Sequence, residues 1–100
     1  MRTALILAML VLAFPTYAAG HAVQIKGMKF TPAKLQVAVG DTITFTNADS
    51  MRHTGTALDG SFDTGPLAKG KSARVTIAAA GKHDFRCTIH PSMKGTVTAK

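Results

Sequence analysis

Apolar residues recur at every second position along most of this chain, in runs that are always short. Val23 and Ile25 alternate with polar neighbours, Leu35, Val37 and Val39 do the same, and Ile43 and Phe45 alternate with Thr42, Thr44 and Thr46. Ala73, Val75 and Ile77 resume the pattern; His83, Phe85 and Cys87 share one face of the run Lys82 to Cys87, and Val97 points inward in the run Gly95 to Ala99. A period of two puts alternate side chains on opposite faces of a strand, and β-branched residues favour that geometry. Turn signals separate the runs. Gly40-Asp41 reads as a hairpin, while Asn47-Ala48-Asp49-Ser50 and Ala79-Ala80-Gly81 end their strands. Ala57 to Gly70, rich in Gly, Asp and Pro, reads as loop with at most a short strand around Phe62. No stretch carries a helical period, so the pattern predicts an all-β domain, an antiparallel sandwich or barrel.

Residues 1–19 stand apart from this pattern. Arg2 supplies a positive start, Ala4 to Phe14 is an unbroken apolar run, and Pro15-Thr16-Tyr17-Ala18-Ala19 closes it with small residues suited to a signal peptidase. A membrane span needs ~20 apolar residues, about twice this run. We read residues 1–19 as a signal peptide, cut after Ala18, Ala19 or Gly20, and residues 20–100 as one domain. The expected destination is the periplasm, as a soluble monomer with no membrane span after cleavage.

About 80 residues can close one core with little stability to spare, so a staple would help. No disulfide can form within the chain, because Cys87 is its only cysteine. An unpaired thiol is unusual in a small exported domain, and metal ligation accounts for it. The formal charge is +7, and the chain stays basic without Arg2. With five Phe, one Tyr and no lysine run, the sequence offers no stacking platform for nucleic acid. A dispersed positive surface steers association with acidic protein partners or keeps the protein soluble.

The chemistry is concentrated in Cys87-Thr88-Ile89-His90-Pro91-Ser92-Met93, which presents thiolate, imidazole and thioether at intervals of three. A tight loop can turn all three toward one point. His53, across a short turn from the Ile43 to Asn47 strand, is the candidate fourth donor; Met51 is the rival to Met93. Soft thiolate, two imidazoles and a weak axial thioether suit copper in both oxidation states, whereas structural zinc prefers Cys and His without thioether. The expected metal set is therefore His53, Cys87, His90 and Met93, holding one copper per chain.

On these residues, Thr42 to Val97 resembles the cupredoxins, the blue type 1 copper proteins, in their amicyanin, plastocyanin and pseudoazurin branch. Asp41 to Asn47 followed by Ser50-Met51-Arg52-His53 is similar to the family's strand into its first ligand, and Cys-x-x-His-Pro-x-Met is similar to the short amicyanin-type loop. The resemblance implies an eight-stranded Greek-key β-sandwich and a periplasmic one-electron carrier. It further implies that His90 lies near the surface with Ile89, Pro91 and Met51 as its apolar rim, and that the Thr54 amide donates to the cysteine sulfur. Asn is usual at position 54, so the contact joining the two ligand loops has to be remade, with Thr54 and Thr88 as the candidates. Arg52 stands where Pro is common and puts a positive charge beside the site, which raises the expected reduction potential.

Two histidines remain. His83, about 13 Å from Cys87 along an extended strand, is too distant to share a metal and reads as structural; the family commonly has Tyr there. A cut after Ala18 would leave Ala19-Gly20-His21, whose amine, amides and imidazole can wrap Cu(II) in a square plane; otherwise His21 reads as a frayed terminal residue. With so few histidines outside the main set, and no nucleophile and base pattern, the sequence does not read as an enzyme. Copper delivery or storage is the alternative to electron transfer.

Overall fold

The alternation in Thr42–Asn47 is realised as a strand whose Ile43, Phe45 and Asn47 are buried while its threonines are half-buried. In chain order the strands of the computed structural model, which describes residues 18–100, are β1 (Gly20–Lys26), β2 (Lys29–Thr31), β3 (Lys34–Val37), β4 (Thr42–Asn47), β5 (Thr56–Ala57), β6 (Ser72–Thr76), β7 (Gly81–Arg86) and β8 (Lys94–Ala99). They form two four-stranded sheets, ordered β2-β1-β4-β6 and β3-β8-β7-β5. No helix occurs among the described residues. The fold is an all-β Greek-key sandwich. The expected leader falls almost wholly outside the described residues.

Three details differ from the expected pattern. Gly40-Asp41 closes no hairpin, because β3 and β4 lie in different sheets and the turn carries the chain between them. Asp41 secures that crossover by accepting from the Ala38 amide at 2.9 Å, while Gly40 N donates to Ile77 O at 2.7 Å. Each crossover brings a strand beside one that is not its sequence neighbour. The sheets are consequently mixed, with β1 parallel to β4 and β3 parallel to β8, and the other pairs antiparallel. Phe62 is buried but in no strand; the short strand of this region is β5, joined to it by a bond from Ala57 N to Phe62 O.

The core lies between the sheets. Val23, Ile25, Ile43 and Phe45 face Leu35, Phe85 and Val97, all buried. Four phenylalanines knit the layers: Phe85 meets Phe30 at 4.8 Å and Phe45 at 5.6 Å, both edge to face, and Phe45 stacks on Phe62 at 6.0 Å. Such pairs contribute about 0.5–1.5 kcal/mol each beyond their buried area. This packing leaves no room at Gly95, where a Cβ would run into the Phe85 ring and lie 2.7 Å from Ala33 O. Gly55 is equally confined, since its Cβ would meet the Phe45 ring at 2.8 Å. Both glycines flank the metal-binding candidates, so the aromatic core fixes the backbone from which those side chains project.

Candidate metal centre

The chain beyond β4 is organised by Asn47, which is fully buried. Its side-chain amide donates to Met51 O at 2.8 Å and Leu67 O at 2.7 Å, and its Oδ1 accepts from Asp49 N at 2.9 Å. The loop so held delivers His53, whose backbone exchanges two hydrogen bonds with Leu67. From the other sheet, β7 runs into Cys87. Cys87 N donates to Met93 O at 3.1 Å and Met93 N to His90 O at 2.9 Å, folding the seven-residue loop back on itself.

These two segments bring three donors together. Cys87 Sγ lies 3.8 Å from His53 Nδ1 and 3.9 Å from His90 Nδ1, and the two Nδ1 atoms are 3.2 Å apart. His53 and Cys87 have no exposed surface and His90 is half-buried. Met93 is buried beside them in sequence at 3% exposure, whereas Met51 is 51% exposed. Among the described residues this is the one cluster of His, Cys and acidic groups close enough to hold an ion. The family model for the cupredoxin-like domain matches residues 2–99. The chain belongs to that family.

Among its relatives, the amicyanin of Paracoccus denitrificans is 36% identical over 83 residues, covering 78% of this chain. The match spans 63% of the length of that relative. An amicyanin variant solved in its reduced Cu(I) form superposes with a TM-score of 0.75 at 30% identity, covering 86% of this chain and 87% of the other. A copper-containing nitrite reductase from Thermus scotoductus SA-01 gives the same TM-score at 30% identity, but only 24% of that longer chain is covered.

The donor chemistry of this cupredoxin site fits copper. His53 Nε2 lies 2.9 Å from Asp49 Oδ2, and Asp49 also accepts from Gly27 N at 2.8 Å and Met28 N at 3.0 Å. The Met28 and Gly27 amides, then His53, hold the Asp49 carboxyl below its usual range. An ionised carboxylate only accepts, so the proton of His53 sits on Nε2 and the Nδ1 lone pair faces His90 and the sulfur. Two imidazole nitrogens and a thiol sulfur within 4.8 Å of one another are a ligand arrangement for a cation. A hard ion would want oxygen donors, which this cluster lacks, whereas imidazole and thiolate suit copper.

Sulfur is also met from behind. Thr54 N donates to Cys87 Sγ at 3.3 Å, and Thr54 Oγ1 accepts from Thr88 N at 2.9 Å while lying 3.2 Å from Thr88 Oγ1 and 2.9 Å from Thr56 Oγ1. A hydroxyl thus links the two ligand loops through Thr54 and Thr88. The rim candidates Met51, Ile89 and Pro91 are exposed, as is Arg52.

Asp49 is the participant that strand periodicity does not reveal. It falls in a turn-forming run, and its tie to His53 at a spacing of four is the one signal available. The remaining histidines lie elsewhere. His83, 6% exposed, turns Nδ1 to Asp59 and Nε2 to Ala79 O. His21 is not frayed: it pairs with Ile43 within β1 and β4, and its Nε2 meets Asp41 Oδ2 at 2.9 Å.

Proposed function

We propose that this chain is a periplasmic type 1 copper protein that carries one electron at a time, with His53, Cys87, His90 and Met93 holding a single copper. The convergence of His53 Nδ1, His90 Nδ1 and Cys87 Sγ, with all three donors within 4.8 Å, carries this reading. Copper on two imidazoles, a thiolate and a weak thioether supplies a one-electron couple that needs little rearrangement. The protein's share is to hold the donors still. Asp49 orients His53, the Thr54 amide stabilises charge on sulfur, and the closed 87–93 loop sets His90 against Cys87.

His90 is the half-exposed member of the set, and Met51, Ile89 and Pro91 give it an apolar surround that a redox partner can cover. Lys34, Lys82, Arg86 and Lys94 project from the outer face of the second sheet, with Asp84 among them. A cleft of about 460 Å³ opens there, lined by Lys34, Leu58, Arg86 and Lys94 among others. This charge favours partners with acidic docking surfaces. No helix among the described residues is long and apolar enough to cross a membrane. The N-terminal segment acts as an export signal that ends near Ala18 or Ala19, the domain works as a monomer, and it turns over no substrate; the likeness to the nitrite reductase extends over one part of that longer chain.

Voltammetry of the copper-loaded protein separates the carrier from a delivery or storage protein. A reversible one-electron wave with copper retained through cycling supports the carrier. Rapid loss of copper to a modest chelator contradicts it.

A further inference from the structure

The strand β1 reaches back almost to the end of the residues read as an export signal. Ala19 is already anchored. Its N–H donates to Asp41 Oδ1 at 2.9 Å and its carbonyl accepts from Thr42 N at 3.0 Å. One residue on, Gly20 pairs with Thr42 as the parallel ladder of β1 and β4 starts. Asp41 is 6% exposed, and its other oxygen receives Ala38 N and His21 Nε2, each at 2.9 Å.

Two independent constraints bear on the cut. Signal peptidases want small residues one and three positions before the scissile bond. A cut after Ala19 would put Tyr17 at the third position back, which the enzyme disfavours, whereas cuts after Ala18 and Gly20 would put Thr16 and Ala18 there. The fold removes one of those two. A cut after Gly20 deletes both Ala19 bonds and the first rung of the ladder, leaving Asp41 Oδ1 and Thr42 N without these partners at a nearly buried position, where an unpaired polar group is costly. Only the bond after Ala18 satisfies enzyme and fold together.

We propose that signal peptidase hydrolyses the bond between Ala18 and Ala19, and that the α-ammonium so created docks on the Asp41 carboxylate. The proposal rests on reading the N-terminal segment as an export signal. Water supplies the hydroxyl that completes the Ala18 carboxyl and a proton for the Ala19 nitrogen, which takes a second proton from solvent. Processing therefore converts a neutral amide donor to Asp41 into a charged one, and charge-assisted bonds are the stronger kind. The carboxylate is ready for a cation: His21, then the Ala38 and Ala19 amides, hold it below its usual range. Asp41 takes up both the amine and the His21 ring, so the folded mature chain has no free Ala19-Gly20-His21 clip for a second Cu(II).

The test is the intact mass of the protein recovered from the periplasm of a Gram-negative host, followed by labelling of its α-amine. The mass of residues 19–100 is expected. Masses of residues 20–100 or 21–100 would overturn the cut while leaving the export reading in place, and an unprocessed 1–100 chain found only in the cytoplasm would overturn the export reading itself. Acetylation of the Ala19 amine by an active ester at neutral pH should run about tenfold slower than in a chain extended by one glycine before Ala19, since each unit of pKa elevation cuts the reactive free amine tenfold. Equal labelling rates would refute the docking, and the extended chain keeps Asp41 and the fold intact.

Discussion

Thr54 N donates to the sulfur of Cys87 at 3.3 Å, a contact between residues 33 apart in sequence that joins the loop after β4 to the loop after β7. The same residue receives Thr88 N on its hydroxyl, so its backbone addresses the sulfur while its side chain ties the loops. Thr54→Val separates the two roles. It keeps the amide donor and removes the acceptor of the Thr88 N–H, which lies in an exposed residue that water can reach, with an expected loss of about 0.5–1.5 kcal/mol. Each kcal/mol lowers the melting temperature of a domain this size by about 4–8 °C. Denaturant titration checks the stability, and the absorption of the copper form checks that the sulfur environment survives; an unchanged midpoint would contradict the proposed tie.

Asp49 holds His53 from the side away from the sulfur while being held by the Gly27 and Met28 amides. Both residues have positive φ, 62° and 61°, the geometry of a two-residue turn between β1 and β2 that aims consecutive N–H groups at one carboxylate. Removing such an outer partner of a metal-binding histidine costs about 10–100-fold in metal affinity. Asp49→Ala is expected to lose that much copper affinity in competition against a chelator, and Asp49→Asn, which still accepts, less. Equal affinity in all three proteins would remove Asp49 from the site.

Arg52 is exposed and adjacent to His53, and a positive charge there favours the more electron-rich state of the site. Replacing it in Arg52→Pro is expected to lower the reduction potential, on the order of tens of millivolts for an exposed charge a few ångströms away, with the difference shrinking as salt is added. Redox titration at two ionic strengths measures it. No drop in potential would count against the effect.

His83 gives the fold a pH dependence of known sign. Its ring nitrogens face Asp59 and the Ala79 carbonyl, both acceptors, so the doubly protonated ring fits best, and the Asp59 hydrogen bond followed by that of Ala79 raises its pKa. Asp59, held by Ser61 and then His83, lies well below the usual carboxylate range. The raised His83 contributes stability that is fully present below about pH 6.5 and lost as pH rises through its folded value. Asp59 contributes above about pH 4, and that part is lost as pH falls through its own folded value. The Asp59 side chain is 46% exposed, so solvent keeps the effect modest. Melting temperatures should fall by a few degrees more between pH 6 and pH 9 in the native protein than in His83→Phe; parallel curves would contradict the pairing.

Much of this architecture is legible because its strands have one wet face. β4, β6, β7 and β8 announce themselves through alternation, since Ile43, Phe45, Val75, Phe85 and Val97 must all reach one core. Pairing partners are less visible. Gly40-Asp41 has the composition of a hairpin turn, yet turn chemistry specifies a reversal and not which sheet receives the next strand. β2 and β5 are three and two residues long, too short for any period to show. At the site, the donor spacing of Cys87, His90 and Met93 is local and readable, as is the Thr54 to Thr88 link once the loops are taken to meet. The roles of Asp49, Asp41 and Asp59 depend on which turn folds over them, and composition marks all three as ordinary turn residues.

Titration of the purified protein with Cu(II), followed in the visible range, decides whether Cys87 holds copper. One equivalent is expected to produce an intense thiolate-to-copper band that saturates at one copper per chain and disappears in Cys87→Ser. A colourless complex, or a band that survives that substitution, would contradict a copper centre built on Cys87.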